Sequence, residues 1–68
     1  MIIKEVEITS KMGLRLLMED DLFVVKLHED SLSGYKESVV YKCKVSDSSV
    51  EEMIDHIDNT YKLIMHQQ

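Results

Sequence analysis

Three kinds of residue in this chain could carry chemistry: the histidines His28, His56 and His66, the lone cysteine Cys43, and several runs of adjacent carboxylates. A tetrahedral metal site needs three or four converging ligands, and two histidines four apart on one helix would announce it. His28 lies in a strand-like stretch, and His56 and His66 are separated by nearly three helical turns. Asp55 beside His56 adds a single oxygen. The expectation is therefore no metal, and three histidines facing solvent.

Cys43 alternates toward the interior with no base implied nearby, which describes a small buried hydrophobe rather than a nucleophile. The carboxylate runs, Glu19-Asp20-Asp21, Glu29-Asp30 and Glu51-Glu52, fall in turns or on a helix surface. General acid–base work needs a cleft that shifts a pKa, and a chain this short has little room for one. No glycine-rich phosphate loop, G-x-S-x-G or H-E-x-x-H occurs, and the 2 glycines leave little scope for one. The sequence thus predicts no catalytic residue and no cofactor: the chain is not read as an enzyme. Tyr35, beside Gly34 and among Ser31, Ser33 and Ser38, is expected to lay its ring over a sheet edge.

The elements that position these residues follow from periodicity. Alternation predicts strands over 2–9, 14–19, 22–28 and 38–45. Gly13 ends a turn over 10–13 and is assigned the positive φ there. If Asp20-Asp21 is a two-residue loop, Met18 faces Phe23, Leu16 faces Val25 and Leu14 faces Leu27, all on one side. A slip of one residue would destroy that agreement. Residues 29–37 read as a polar connection. Ser48-Ser49-Val50-Glu51 fits a capping box, and Val50, Met53, Ile54, Ile57, Tyr61 and Ile64 form one helical stripe running to about His66. The fold class is α+β: a four-stranded antiparallel meander with one C-terminal helix on one face (ββββα), as a single small domain over 1–68. The core is assigned the even positions of the first two strands and the odd positions of the last two, with Phe23, Val25, Leu27, Tyr41, Ile54 and Ile57 buried.

Composition bounds the rest. The chain has 68 residues, 13 acidic against 8 basic, and a net charge of −5. A domain of about 60 residues buries only roughly 60% of its unfolded surface, so a partner or second copy is expected to complete the burial. No apolar run approaches a membrane span, acids at the start are too early for a signal peptide, and a single cysteine fits a reducing, cytoplasmic setting.

The surfaces left over suggest binding. On the sheet face away from the helix, Leu17, Leu22 and Val24 form an apolar cluster among Glu5, Glu7, Arg15, Lys26, Lys42 and Lys44. The outer helix face carries Glu51, Glu52, Asp55 and Asp58, with Lys62 placed to pair with Asp58, while Leu63 stands apart from the buried stripe. The residues expected to meet a partner are Leu17, Leu22, Val24, Glu52, Asp55 and Leu63. The leading expectation is a non-catalytic protein-binding module of inhibitor or accessory type, a homodimer through the open sheet face, whose acidic surface meets a basic, nucleic-acid-binding site on a partner protein. In size and charge the chain resembles the small acidic proteins that phages direct against host defence, anti-CRISPR proteins among them. That resemblance implies a phage protein acting on a host protein, and it rests on no motif. The alternative is nucleic-acid binding through Arg15, Lys26, Lys42 and Lys44. Against it stand Glu5 and Glu7 on the same face and a lack of surface aromatics.

Overall fold

The structure, a computed structural model, describes residues 1–67. Strands β1 (Ile2–Thr9), β2 (Met12–Glu19), β3 (Leu22–Ser31) and β4 (Gly34–Lys44) form one antiparallel sheet in chain order. A short 3₁₀ turn over Val45–Asp47 leads to helix α1 (Val50–His66). The ββββα architecture is the one read from the sequence.

The β2–β3 hairpin closes on Asp20-Asp21, with Asp20 in the left-handed region at φ 55°, where aspartate is among the better-tolerated residues. The expected pairs Met18/Phe23, Leu16/Val25 and Leu14/Leu27 all hold. Leu14, Leu16, Phe23 and Val25 are buried, and α1 adds Met53 and Ile57 to the same cluster. The helix lies chiefly over β1 and β2. Its capping box is one residue later than expected: Ser49 Oγ accepts from the Glu52 amide at 3.1 Å, and Glu52 Oε1 accepts from the Ser49 amide at 3.1 Å. Lys4, a charge on the apolar face of β1, ends in an ion pair with Asp58 of α1 at 3.1 Å.

Three register shifts revise the simple alternation, one of them at the end of β1, where Glu7 stands opposite Gly13 and Thr9 opposite Met12. Near the start of β1, Ile2 stands opposite Leu17 while Lys4 stands opposite Leu16. The extra residue between them turns Ile3 against the core and leaves Ile2 52% exposed, the reverse of the expected assignment. In β4, Val39 stands opposite Lys26 but Tyr41 opposite Val25, so Val40 is the inserted residue. Val39 therefore shares the outer face with Lys26 rather than the core with Tyr41. Tyr41 keeps the inner face but is 40% exposed, because α1 does not extend fully over β4. Leu27 and Ile54 are half-buried.

The stretch over 29–37 is not a connection. β3 and β4 continue through it as a hairpin that turns on Leu32-Ser33, with Gly34 at φ 122° just after the turn. Gly13 has no positive φ; it sits within β2, between Glu7 and His28 in register. A Cβ there would stand 2.8 Å from the Val6 carbonyl oxygen and 2.8 Å from His28 Nε2. Close approach, not turn geometry, is what requires glycine at this position.

Candidate functional site

The open sheet face is built from alternate residues of the four strands, with the alternation shifted at the bulges of β1 and β4. Glu5 pairs with Arg15, Arg15 with Lys26 and Lys26 with Val39 in register, which brings Glu37 within reach of two cations. Arg15 Nε donates to Glu5 Oε1 at 2.9 Å, and its Nη1 lies 3.5 Å from Glu37 Oε2. Lys26 Nζ lies 3.2 Å from Glu19 and 3.3 Å from Glu37. Tyr35 Oη donates to Glu37 Oε2 at 2.7 Å. These donors, Tyr35 first and then Lys26, hold the Glu37 carboxyl below the ordinary glutamate range. The same bond pushes the Tyr35 phenol up, and hydrogen bonds to Glu19 and then Glu37 raise the Lys26 ammonium. Arg15 and Lys26 are thus neutralised by neighbours on their own face. Of the four residues expected to grip nucleic acid, only Lys42 and Lys44 make no ion pair among the described residues.

The apolar cluster on this face is smaller than alternation predicts. Val24 is only 4% exposed, since it sits mid-face between Leu17 and Lys42 in register, with Leu22 and Lys26 two residues to either side. Leu17 and Leu22 are half-buried. Val24 therefore offers no contact surface, and the expected three-residue docking patch does not form.

The helix residues divide. Asp55 is exposed, Glu52 is committed to the cap, and Leu63 stands 66% exposed in a shallow depression with Asn59, Lys62 and His66. Asp58 turns toward Lys4 instead of joining the outer acidic face or Lys62.

The histidines correct the expectation of three solvated rings. His28 is half-buried, with Tyr35 nearly parallel at 6.3 Å, and His56 is half-buried with its ring 4.3 Å from Tyr41. Only His66 is exposed. No group of three His, Cys, Asp or Glu side chains that could hold a metal occurs among the described residues. Cys43 is half-buried, its Sγ 3.6 Å from Met53 Sδ and 3.8 Å from Ser48 Oγ. A depression of about 530 Å³ opens beside the β1–β2 turn, lined in part by Glu5, Lys11, Arg15, His28 and Tyr35. Of its polar walls Arg15 is paired with Glu5, and Tyr35 is bonded to Glu37 just outside it; no buried side-chain nitrogen or oxygen among the described residues lacks a partner.

The feature that sequence reasoning missed is the outer edge. β4 runs for 11 residues and only Cys43 is less than exposed. Tyr35, Val39, Val40 and Tyr41 are 56%, 52%, 49% and 40% exposed. An unpaired edge of this length presents a row of main-chain donors and acceptors beside apolar side chains, the arrangement that invites strand addition. The sequence carries little signal of it, since Tyr35-Lys36-Glu37-Ser38-Val39 is apolar only at its two ends and the serines, glycine and charges of 29–37 read as a loop. No helix among the described residues is long and apolar enough to cross a membrane. No protein family, no curated protein and no solved structure matches this chain.

Proposed function

We propose that this chain is a non-catalytic protein-binding module, of inhibitor or accessory type, that engages its partner through the β4 edge. The single observation that carries the reading is that edge: 11 residues long, exposed along nearly its whole length, and bearing Tyr35, Val39, Val40 and Tyr41 in solvent. Main-chain pairing supplies affinity along such an edge, and the side chains on either side of it supply selectivity. The net charge of −5 biases the choice of partner toward basic proteins and speeds encounter with them. In the version with most biological content, the module occludes a basic nucleic-acid-binding site, as small acidic anti-defence proteins of phages do. The pairing of Arg15 and Lys26 with Glu5, Glu19 and Glu37 speaks against the open face as a nucleic-acid surface.

The test is capture from native cell extract on the immobilised chain, run beside the edge variant Val39→Asp. A protein retained by the parent and lost by the folded variant supports the reading. Equal retention by both places the binding surface elsewhere and overturns it. A titration with DNA and RNA at two salt concentrations separates the rival class, since binding to phosphates weakens steeply with salt.

A further inference from the structure

We propose that the β4 edge pairs with the β4 edge of a second copy, antiparallel, with the bulge at Val39-Val40 of one chain set against the bulge of the other. This rests on reading the edge as a binding surface: a second copy occupies it when the partner protein is absent, and the two compete for it.

The bulge decides the register. Tyr35, Glu37 and Val39 lie on the open face and Lys36 and Ser38 on the helix face; beyond the inserted Val40 the parity reverses, so Lys42 and Lys44 are on the open face and Tyr41 and Cys43 on the helix face. Residues opposed across an antiparallel pair must share a face. The register that satisfies this over the longest stretch, residues 35–44, is centred on the bulge. It sets Val39 against Val40 of the second copy, Glu37 against its Lys42, Tyr35 against its Lys44, Ser38 against its Tyr41 and Lys36 against its Cys43. The strand is thus complementary to itself.

Three independent properties agree on it. First, charge: Lys42 makes no ion pair within its own chain among the described residues, and this register sets it opposite Glu37, twice by symmetry. Slipping by one residue in either direction sets Lys36 against Lys42 or against Lys44, a like-charge opposition. Second, main-chain direction: counting from the Ser31/Gly34 pair that closes the two-residue turn, the amides and carbonyls of Tyr35, Glu37, Lys42 and Lys44 point away from β3. These are the residues the register pairs. Third, apolar surface: Val39 and Val40, 52% and 49% exposed, meet their counterparts at the two-fold axis. The result is a continuous eight-stranded sheet with an isologous junction. A single strand pair buries less than a standard interface of about 1,600 Å², so association belongs in the micromolar range or weaker.

The experiment is sedimentation equilibrium on the full chain from low micromolar to millimolar concentration, with two single variants, Lys42→Glu and Glu37→Lys. Each variant alone opposes like charges at both symmetry-related positions, and each should remain monomeric where the parent dimerises. Mixed in equal amounts, the two restore opposite charges at both positions and should form a heterodimer. Circular dichroism establishes that each variant is folded. If Glu37→Lys fails to fold through loss of the Arg15 and Lys26 contacts, amide exchange on the parent replaces it. The Tyr35, Glu37, Lys42 and Lys44 amides should then gain protection with concentration while those of β1 do not. A parent that stays monomeric at millimolar concentration, a Lys42→Glu variant that dimerises as readily as the parent, or concentration-independent exchange at those four amides overturns the self-pairing. The edge as a partner surface fails separately, when extract capture is unaffected by Val39→Asp.

Discussion

Phe23→Ala tests the core and the register together. Phe23 is 1% exposed on the inner face of β3, opposite Met18 on one side and Cys43 on the other, beneath the helix residues Met53 and Ile57. Truncating a buried phenylalanine costs about 3–5 kcal/mol, made up of lost transfer energy and a cavity that neighbours only partly fill. A stability of about 0.05–0.15 kcal/mol per residue gives this chain roughly 3–10 kcal/mol in total. The truncation therefore removes between a third and all of it. With a urea dependence of about 1 kcal/mol/M for so small a domain, the midpoint should fall by about 3 M or the variant should be unfolded in buffer. Phe23→Leu, which leaves most of the volume, should cost about 1–2 kcal/mol and remain folded. Urea unfolding followed by circular dichroism, at one fixed protein concentration, reads both. A Phe23→Ala midpoint within about 1 M of the parent would mean that Phe23 is not in the core and that the β2–β3 register is wrong.

Three further outcomes follow from particular contacts. Ser49→Ala should cost about 1 kcal/mol in thermal or urea unfolding, and Ser48→Ala distinctly less, because the Glu52 amide is capped by Ser49; the opposite ranking would return the cap to Ser48. Gly13→Ala should destabilise by about 1–3 kcal/mol through crowding against the Val6 carbonyl and the His28 ring, and a neutral effect on the melting temperature would refute that contact. The lowered pKa of Glu37 means its contribution is fully present above the ordinary glutamate range and is lost as pH falls through the lowered value. Glu37→Gln should therefore melt below the parent at neutral pH and converge with it in acid; a constant gap across that range would show that Glu37 gains nothing from its ionised contacts.

How far the sequence reached depends on where side chains must agree with one another. The β2–β3 hairpin was legible because Leu14, Leu16, Met18, Phe23, Val25 and Leu27 all answer to one buried face, so a single slip is visible as a contradiction. The helix was legible for the same reason, through Met53 and Ile57. The edges were not. Nothing in the sequence around Ile2-Ile3 or Val39-Val40 distinguishes a bulge from steady alternation, since either valine could face the core. Residues 29–37 looked like a loop because an exposed strand pair has no need of apolar residues to hold it. Of the residues expected to meet a partner, Asp55 and Leu63 are exposed where the helix wheel puts them, whereas Val24 is covered by neighbours that no single-strand pattern can reveal.

The order β1-β2-β3-β4 also bears on how the chain finds this structure. Each strand pairs with the one just before or after it, across turns of two residues at Ser10-Lys11, Asp20-Asp21 and Leu32-Ser33. Closing such short loops costs little entropy, and hairpins form in roughly microseconds. The helix is different: its ion pair to β1 joins Lys4 and Asp58 across a separation of 54 residues. The sheet is therefore the part that local encounters can assemble, and docking of the helix is the step that must search. Until that docking, the inner faces of Leu14, Leu16, Phe23 and Val25 lie bare on a sheet with both edges open, and this interval is when the nascent chain is most exposed to misassociation.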